Sequence, residues 1–150
     1  MLMIRWITDY LGGSRAPEPQ ELETLKEEGI NTIINLLEGD YGNFIAQKQK
    51  EAGFEVIRIP FNMYDPIPKE DFLAVYDYIK EISGKEKKVL VHCKYGKARS
   101  GTFLAGYLIN EGKEYTEALN EVIRKGFLPQ TEHQIKFLQE LAKNDKYKNP

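Results

Sequence analysis

The sequence is poor in cysteine, since Cys93 is the only one among its 150 residues. An intramolecular disulfide is therefore excluded, and so is a metal site built from several thiolates. A lone thiol in a chain of this kind is either a small buried apolar side chain or a group with a chemical function. The cysteine count alone leaves both interpretations open.

The chain also lacks an excess of charge of either sign. Its 21 Lys and Arg nearly balance its 23 Asp and Glu, which gives a formal net charge of -2. We therefore expect no nucleic-acid partner, because no basic field would hold a polyanion, and an anionic ligand must be caught locally.

Long apolar runs are absent as well. The apolar stretch at 103–109 is far shorter than the roughly 20 residues needed to span a bilayer, so we expect no stable membrane insertion. The N-terminal residues lack the pattern of a secretory signal, and we expect a cytoplasmic protein.

What the chain does contain is enough apolar and aromatic residues for one core, with 41% hydrophobic and 29% charged residues. We expect a single domain over residues 1–150 that acts as a monomer. Residues 144–150 offer little to bury and are expected to form a frayed tail.

Short runs rich in β-branched residues alternate with helical patterns, which predicts an α/β fold. The predicted strands are 4–10, 32–37, 54–59 and 88–92. The predicted helices are 19–28, 42–52, 69–82, 100–110, 116–125 and 131–143. The expected architecture is a central sheet of four or five strands flanked by helices, with a helical C-terminal half.

The most specific motif is His-Cys-Lys-Tyr-Gly-Lys-Ala-Arg-Ser-Gly at residues 92–101. It follows a predicted buried strand and opens a predicted helix. Backbone N–H groups of the loop and of the first helical turn can therefore converge on one point, where an oxyanion would bind. Gly96 allows a positive-φ turn, and Gly101 allows close packing at the start of the helix.

The polar side chains of this motif suit nucleophilic chemistry on a phosphoryl group. The helix N-terminus and Arg99 would stabilise a thiolate on Cys93. The planar fork of Arg99 can hold two phosphoryl oxygens as charge redistributes. Ser100 is placed to donate to the sulfur when it leaves in a second step, and His92 is expected to support the loop through hydrogen bonds.

At these residues the sequence resembles the cysteine-dependent protein tyrosine phosphatases, whose phosphate-binding loop reads His-Cys-x5-Arg-Ser-Gly. Within that superfamily it looks like the small dual-specificity branch. The segments 10–14 and 25–36 are similar to the opening strand, first helix and second strand of the family, and 126–129 matches more loosely. The resemblance covers nearly the whole chain and implies a single-domain tyrosine-phosphatase-like fold.

The resemblance implies a two-step reaction without metal or other cofactor. Cys93 attacks phosphorus to form a cysteinyl-phosphate, which water then hydrolyses. The expected substrate is a phosphorylated protein or peptide carrying phosphotyrosine, with phosphoserine and phosphothreonine as further substrates. The residues expected around the substrate phosphate are Lys94, Tyr95, Gly96, Lys97, Ala98 and Arg99.

The resemblance also implies an aspartate on a separate loop, which protonates the leaving oxygen and later deprotonates the water. The expected residue is Asp65, in the loop 60–68 that leaves the third predicted strand. Met63 stands where family members often carry this aspartate, so Asp65 is slightly displaced. Asp71 is the rival, although the dipole of the following helix explains a carboxylate in its first turn equally well.

At the start of the last predicted helix, Glu132 and Gln134 are further candidates, as a second acid or to orient water. The pattern Thr131-x-x-Gln134 is also a capping box, which explains these residues without a catalytic role.

Three alternatives remain open. Lys94 and Lys97 resemble the loop of lipid-directed phosphatases and would favour a phosphoinositide or another polyphosphate, unless they are only solvated lysines. A phosphoprotein-binding module with this fold would be expected to lack Cys93, Arg99 or the acid. A rhodanese-like sulfurtransferase also uses a cysteine loop, but the Arg-Ser-Gly ending favours the phosphatase.

Overall fold

The centre of the fold is a five-stranded sheet, seen in a computed structural model that describes residues 2–143. The predicted frayed tail lies outside the described residues. The strands are β1 (Arg5–Trp6), β2 (Leu11–Ser14), β3 (Ile30–Asn35), β4 (Glu55–Arg58) and β5 (Lys88–His92). Their order is β1-β2-β5-β3-β4, in which β1 and β2 are antiparallel and all other neighbours are parallel. The predicted α/β sheet is confirmed.

Within residues 2–143, six α-helices surround this sheet. They are α1 (Leu22–Glu27), α2 (Gly39–Glu51), α3 (Lys69–Ile82), α4 (Ala98–Asn110), α5 (Tyr115–Arg124) and α6 (Glu132–Lys143). The three that follow β5 form the predicted helical C-terminal half. None of the helices in the described part is both long and apolar enough to cross a membrane.

The structure corrects the first predicted strand. The prediction covered 4–10, but only Arg5–Trp6 forms a strand there, and a second strand follows at Leu11–Ser14. The chain turns between the two, and Thr8 Oγ1 stabilises the turn by accepting hydrogen bonds from two backbone N–H groups at 2.9 and 3.1 Å. The resemblance had already placed the opening strand at 10–14.

The other predicted elements are found close to their predicted places. The strand at 88–92 and the helix at 69–82 begin and end at the predicted residues. The remaining helices and strands differ from the predicted ends by at most three residues, and a 3-10 turn at Pro19–Glu21 opens the first helix.

Helix α4 forms the centre of the core, because every one of its residues is buried. It packs against β2 and β5 on the sheet and against α5 and α6. Small residues make this close approach possible, as at Gly106, where the Cβ of any other residue would lie 3.0 Å from the ring of Phe72. The ring of Phe72 in turn packs edge-to-face on Phe103 at 5.1 Å and on Phe137 at 5.3 Å between ring centroids.

The C-terminal ends of three parallel strands lie side by side. His92 at the end of β5 is in register with Ser14 of β2 on one side and Asn35 of β3 on the other. In open α/β sheets this edge is where ligands bind, because the loops that follow neighbouring strands converge there.

Gly13 in β2 lies where the sheet packs closely against the core side chains, so a substitution at this position tests that packing. A Cβ at this position would lie 2.8 Å from Leu104 and 2.9 Å from Phe127, both of which are fully or almost fully buried. We therefore expect Gly13→Ala to lower the free energy of unfolding by about 1–3 kcal/mol, because the core must be displaced. The measurement is unfolding in urea.

Gly84→Ala is the matched control, since no heavy atom lies within 4 Å of the Cβ position there. It should change the free energy of unfolding by no more than about 1 kcal/mol. Equal stabilities of the two variants would contradict the close packing described at Gly13.

Candidate active site

The segment between β5 and α4 forms a tight loop at the strand ends described above. Gly96 has a φ of 73°, and a Cβ at this position would lie 2.3 Å from the backbone nitrogen of Arg15. The Lys94 carbonyl accepts a hydrogen bond from the Ala16 N–H at 3.2 Å. The loop is therefore pressed onto the segment that follows β2, and only glycine fits at its closest point.

Cys93 lies at the base of this loop and lines a cavity of about 640 Å³. Its side chain is 3% exposed, and the Ser100 hydroxyl donates a hydrogen bond to its Sγ at 3.1 Å. The loop leads directly into the N-terminus of α4, where the first backbone N–H groups have no partner within the helix. The positive end of the helix dipole therefore favours an anion next to the sulfur.

Arg99 lies in the first turn of α4 and is 6% exposed. Its Nη1 donates to the Glu38 carboxylate at 2.7 Å and to the Phe61 carbonyl at 2.9 Å. Its Nε is buried and finds no hydrogen-bond partner among residues 2–143. The guanidinium is thus anchored through Nη1, and its Nε–H has no hydrogen bond to another group in this part of the chain.

Glu38 is a site residue that the sequence analysis missed. It is the N-cap of α2, three residues beyond the last residue of β3. Arg58 of β4 supports the segment, since it donates to the Leu37 carbonyl and to the Asn43 side chain. The signal that could have found it is its place after a central strand, since parallel strands bring their following loops to the same edge.

The cavity brings together only part of the predicted site. Its lining residues are Met63, Cys93, Tyr95, Lys97, Ala98, Arg99, Leu128 and Gln130. Tyr95 and Leu128 are 76% and 45% exposed and give the opening an apolar rim. The backbone N–H of Leu128 donates to the Lys97 carbonyl at 3.1 Å, which attaches this part of the rim to the loop. Leu128 and Gln130 were not predicted as site residues.

The two lysines of the loop are placed differently. Lys97 lines the cavity, whereas Lys94 is exposed and does not line it. The Lys94 ammonium instead lies 5.4 Å from the centroid of the Tyr95 ring, a cation–π contact. Of the two lysines, only Lys97 adds its positive charge to the cavity wall, beside that of Arg99.

The structure does not bring Asp65 into the cavity lining, where Met63 stands instead. The Asp65 carboxylate accepts a hydrogen bond from the Asn62 side-chain amide at 2.6 Å. The Asn62 side chain also accepts the N–H of Tyr64 at 2.8 Å, so these residues form a closed local turn. Asp71 is exposed in the first turn of α3 and does not line the cavity either.

The capping box predicted at the start of α6 is confirmed. The Gln134 N–H donates to Thr131 Oγ1, and Gln134 Oε1 accepts the N–H of Thr131, both at 3.2 Å. Gln134 Nε2 also donates to the Met63 carbonyl at 3.4 Å. Gln134 thus connects α6 to the segment that carries Met63. Glu132 is exposed, and neither Glu132 nor Gln134 lines the cavity.

His92 is fully buried behind the loop and does not line the cavity. Its Nδ1 lies 3.2 Å from the carbonyl oxygen of Cys93. Burial lowers the pKa of His92, and the charge of Arg99 adds to this effect. Together they outweigh the opposing effect of the hydrogen bond to Cys93, and the pKa is about 4. The imidazole is therefore neutral near neutral pH. In the described part of the chain, no cluster of three or more His, Cys, Asp or Glu side chains could hold a metal ion.

Residues 10–113 match a family model described as "Polymorphic toxin system, DSP-PTPase phosphatase". The dual specificity protein phosphatase TpbA of Pseudomonas aeruginosa (strain UCBPP-PA14) is 28% identical over 115 residues. The match covers 76% of this chain and 50% of TpbA. The chain therefore spans about half the length of the curated relatives it matches first.

Solved structures share the fold. The crystal structure of Tk-PTP in the active form has a TM-score of 0.83 and 30% identity, covering 93% of this chain and 95% of that one. The crystal structure of PTPMT1 has a TM-score of 0.82 at 22% identity, covering 94% of each chain, and shows a common fold alone. Because the family model spans more than half of the chain and includes the whole phosphate-binding loop, this chain belongs to the DSP-PTPase phosphatases, in the small dual-specificity branch of the cysteine-dependent protein tyrosine phosphatases.

Proposed function

We propose that this chain hydrolyses phosphate monoesters, and above all phosphotyrosine in proteins or peptides, through a cysteinyl-phosphate intermediate. The observation that carries the proposal is the arrangement around Cys93. Its sulfur accepts a hydrogen bond from the Ser100 hydroxyl, lies beside the N-terminus of α4, and shares one cavity with Arg99, whose guanidinium is anchored through Nη1. These groups suit a phosphoryl anion and a sulfur nucleophile.

In the first step, Cys93 Sγ forms a bond to phosphorus while the bond from phosphorus to the ester oxygen breaks. The electron pair of that bond goes to the leaving oxygen, which takes a proton from an acid, in our proposal Asp65. Backbone N–H groups of the loop and the Arg99 guanidinium hold the remaining phosphoryl oxygens. Because the Nη1 of Arg99 is occupied by Glu38 and Phe61, the guanidinium is fixed before substrate arrives.

In the second step, water attacks phosphorus and the bond between sulfur and phosphorus breaks. The electron pair returns to Cys93, where the hydrogen bond from Ser100 stabilises the thiolate. The Asp65 carboxylate takes the proton of the water, and inorganic phosphate leaves. All atoms and charges are supplied by the ester, water and this chain.

Asp65 can reach the reacting oxygen only after its own turn rearranges. Its carboxylate must leave the Asn62 amide, and the segment must carry it to the cavity wall now formed by Met63. Asn62 is exposed, so water can replace the hydrogen bond that is lost. We therefore propose that substrate binding is accompanied by a change in the segment 62–65.

The apolar rim supports an aromatic ester. Tyr95 and Leu128 form the apolar rim and Met63 also lines the cavity, so the ring of phosphotyrosine would lie against these side chains. Contact between the ring and these side chains removes apolar surface from water on both sides. Phosphoserine and phosphothreonine present less apolar surface to this rim and are proposed as poorer substrates.

A second candidate is a substrate with more than one phosphate, such as a phosphoinositide. The observation that favours it is Lys97, whose side chain lines the cavity and adds a cation beyond Arg99. Lys94 does not support it, because Lys94 does not line the cavity and its ammonium lies over the exposed Tyr95 ring.

Replacing the nucleophile tests the proposed reaction directly. We expect Cys93→Ser to lower kcat for an aryl phosphate by more than about 1000-fold, because a serine hydroxyl is not deprotonated near neutral pH. The variant should still bind inorganic phosphate, measured by titration calorimetry, because the loop and Arg99 remain. Turnover equal to that of the wild type would contradict a cysteinyl-phosphate.

Replacing the proposed acid tests the role of Asp65. Asp65→Asn should lower kcat for phenyl phosphate by about 100-fold or more, with loss of the alkaline limb of the pH–rate profile. Asp71→Asn is the matched control on the neighbouring helix and should leave kcat and the profile unchanged. If the alkaline limb disappears in Asp71→Asn or in Glu132→Gln instead, Asp65 is not the acid.

A substrate panel separates the two candidate functions. If phosphotyrosine is the substrate, kcat/KM for a phosphotyrosine peptide exceeds that for a soluble diphosphorylated inositol lipid, and Lys97→Gln changes it by less than about 3-fold. If a polyphosphate is the substrate, the order is reversed and Lys97→Gln lowers kcat/KM for the lipid by about 10-fold. Lys94→Gln is the control for surface charge in the same loop.

A further inference from the structure

A chain of buried hydrogen bonds connects α2 to the backbone of the nucleophile. The Leu37 N–H donates to Asn35 Oδ1 at 2.9 Å, and Asn35 Nδ2 donates to Gln49 Oε1 at 3.3 Å. Gln49 Nε2 lies 2.8 Å from His92 Nε2, and His92 Nδ1 lies 3.2 Å from the carbonyl oxygen of Cys93. The side chains of Asn35, Gln49 and His92 are almost completely shielded from water.

The direction of every bond in this chain is determined from its two ends. A backbone N–H only donates, so the amide of Asn35 accepts with its oxygen and donates with its nitrogen to Gln49 Oε1. At the other end the Cys93 carbonyl only accepts, so His92 carries a proton on Nδ1. Burial keeps the pKa of His92 at about 4, so the ring holds one proton, and Nε2 accepts the hydrogen that Gln49 Nε2 donates.

We propose that Gln49 is a positioning residue, which fixes the tautomer of His92 and through it the peptide plane between Cys93 and Lys94. The inference rests on the proposed function, because this peptide begins the loop that binds phosphate and carries the nucleophile. Gln49 acts at a distance and touches neither the cavity nor the sulfur.

The orientation of the peptide between Cys93 and Lys94 depends on His92 more than the orientation of the next peptide does. The following carbonyl, that of Lys94, is held separately by the Ala16 N–H. No peptide in the described segment 2–143 is cis, so the Lys94 N–H points away from the carbonyl that His92 holds. With the proton on Nε2 instead, the Nδ1 lone pair would face the Cys93 oxygen. Two acceptors would then repel each other and turn this plane.

The identity of the side chain supports a specific role. The other buried residues of α2 are Gly42, Ile45 and Ala46, none of which has a polar side chain. Gln49 is 1% exposed, and burial of an amide is costly unless its hydrogen bonds are made. Both ends of its amide are used in this chain, one by Asn35 and one by His92.

The first test needs no variant of the hydrogen-bond chain. The protein has two histidines, and long-range proton–nitrogen NMR correlations report which ring nitrogen of each carries the proton. His133→Gln, at an exposed position of α6, assigns the signals. We expect His92 of the folded protein to be protonated on Nδ1 alone near neutral pH. Protonation on Nε2, or on both nitrogens, would overturn the proposal.

The second test replaces the amide. In Gln49→Leu we expect the Nε2-protonated form of His92 to appear, and kcat/KM to fall about 10-fold. Alkylation of Cys93 by iodoacetamide should slow by a similar factor, because the backbone around the sulfur changes. Gln47→Leu is the matched control on the exposed face of the same helix, where the Gln47 amide donates to the Glu51 carboxylate at 3.4 Å, and it should leave all three measurements unchanged.

Gln49→Glu separates positioning from mere packing. A carboxylate accepts from Asn35 with one oxygen and from a protonated His92 Nε2 with the other, so Nδ1 keeps its proton and its bond to Cys93. We expect kcat/KM to stay within about 3-fold of the wild-type value, with both ring nitrogens protonated in the NMR spectrum.

The outcomes distinguish this inference from the proposed function. If Gln49→Leu lowers only the unfolding temperature, with an unchanged His92 tautomer and alkylation rate, then Gln49 has a structural role alone and the proposal fails. If Gln49→Leu does not fold, the proposal is decided by the tautomer of His92 in the wild-type protein. If the wild type does not hydrolyse phosphate esters, the tautomer and the alkylation rates still test whether Gln49 positions Cys93.

Discussion

The site depends on the register of three parallel strands. β5 lies between β2 and β3, which places Ser14, His92 and Asn35 in one row at the carboxyl edge of the sheet. Each neighbour then supplies one support for the loop that follows His92. The segment after β2 packs on Gly96, and Asn35 leads through Gln49 to the histidine itself. Hydrogen bonds between the strands fix their register. A shift of that register would move the segments after β2 and β3 away from the loop and so remove both supports.

Two features of the site attract an anion, namely the fixed guanidinium of Arg99 and the N-terminus of α4. A buried guanidinium without a partner carries a large desolvation cost, and the Glu38 carboxylate and the Phe61 carbonyl offset it for Arg99. Both partners bind the same nitrogen, so anchoring does not consume the whole donor set. Since α4 is buried along its entire length, its N-terminus and Arg99 are held by the packing of the core.

The two sides of the cavity are built differently. On the loop side, Cys93, Ser100 and Arg99 are buried and held by hydrogen bonds within the core. On the opposite side, Asp65 belongs to an exposed turn in which it accepts a hydrogen bond from Asn62, and the buried residues Phe61 and Ile67 flank this turn. A buried loop for phosphate beside a proposed acid on an exposed turn is consistent with a function that needs precise binding first and proton transfer afterwards.

Regular local patterns determined much of the fold from the sequence alone. The apolar stripe of α3 and the β-branched run of β5 are strong signals, and both elements lie where they were predicted. The residue pattern of the segment 92–101 likewise indicated the loop around Cys93. The pattern is specific because the segment lies between a predicted strand and a predicted helix. β2 was harder, since Gly12 and Gly13 disfavour a strand locally, and their role is to let the core approach closely.

Tertiary structure alone decided which distant residues meet. Glu38 reaches Arg99 across 61 positions of sequence, and Gln49 reaches His92 across 43. Neither contact has a local pattern, because it depends on strand order and register. Tertiary structure also decided that Met63, and not Asp65, lines the cavity, while the Asp65 side chain forms a local hydrogen bond within its own turn. The sequence thus determined the chemistry that the chain carries, whereas packing between remote segments decided how those groups are held, because hydrogen bonds and close contacts form between neighbours in space.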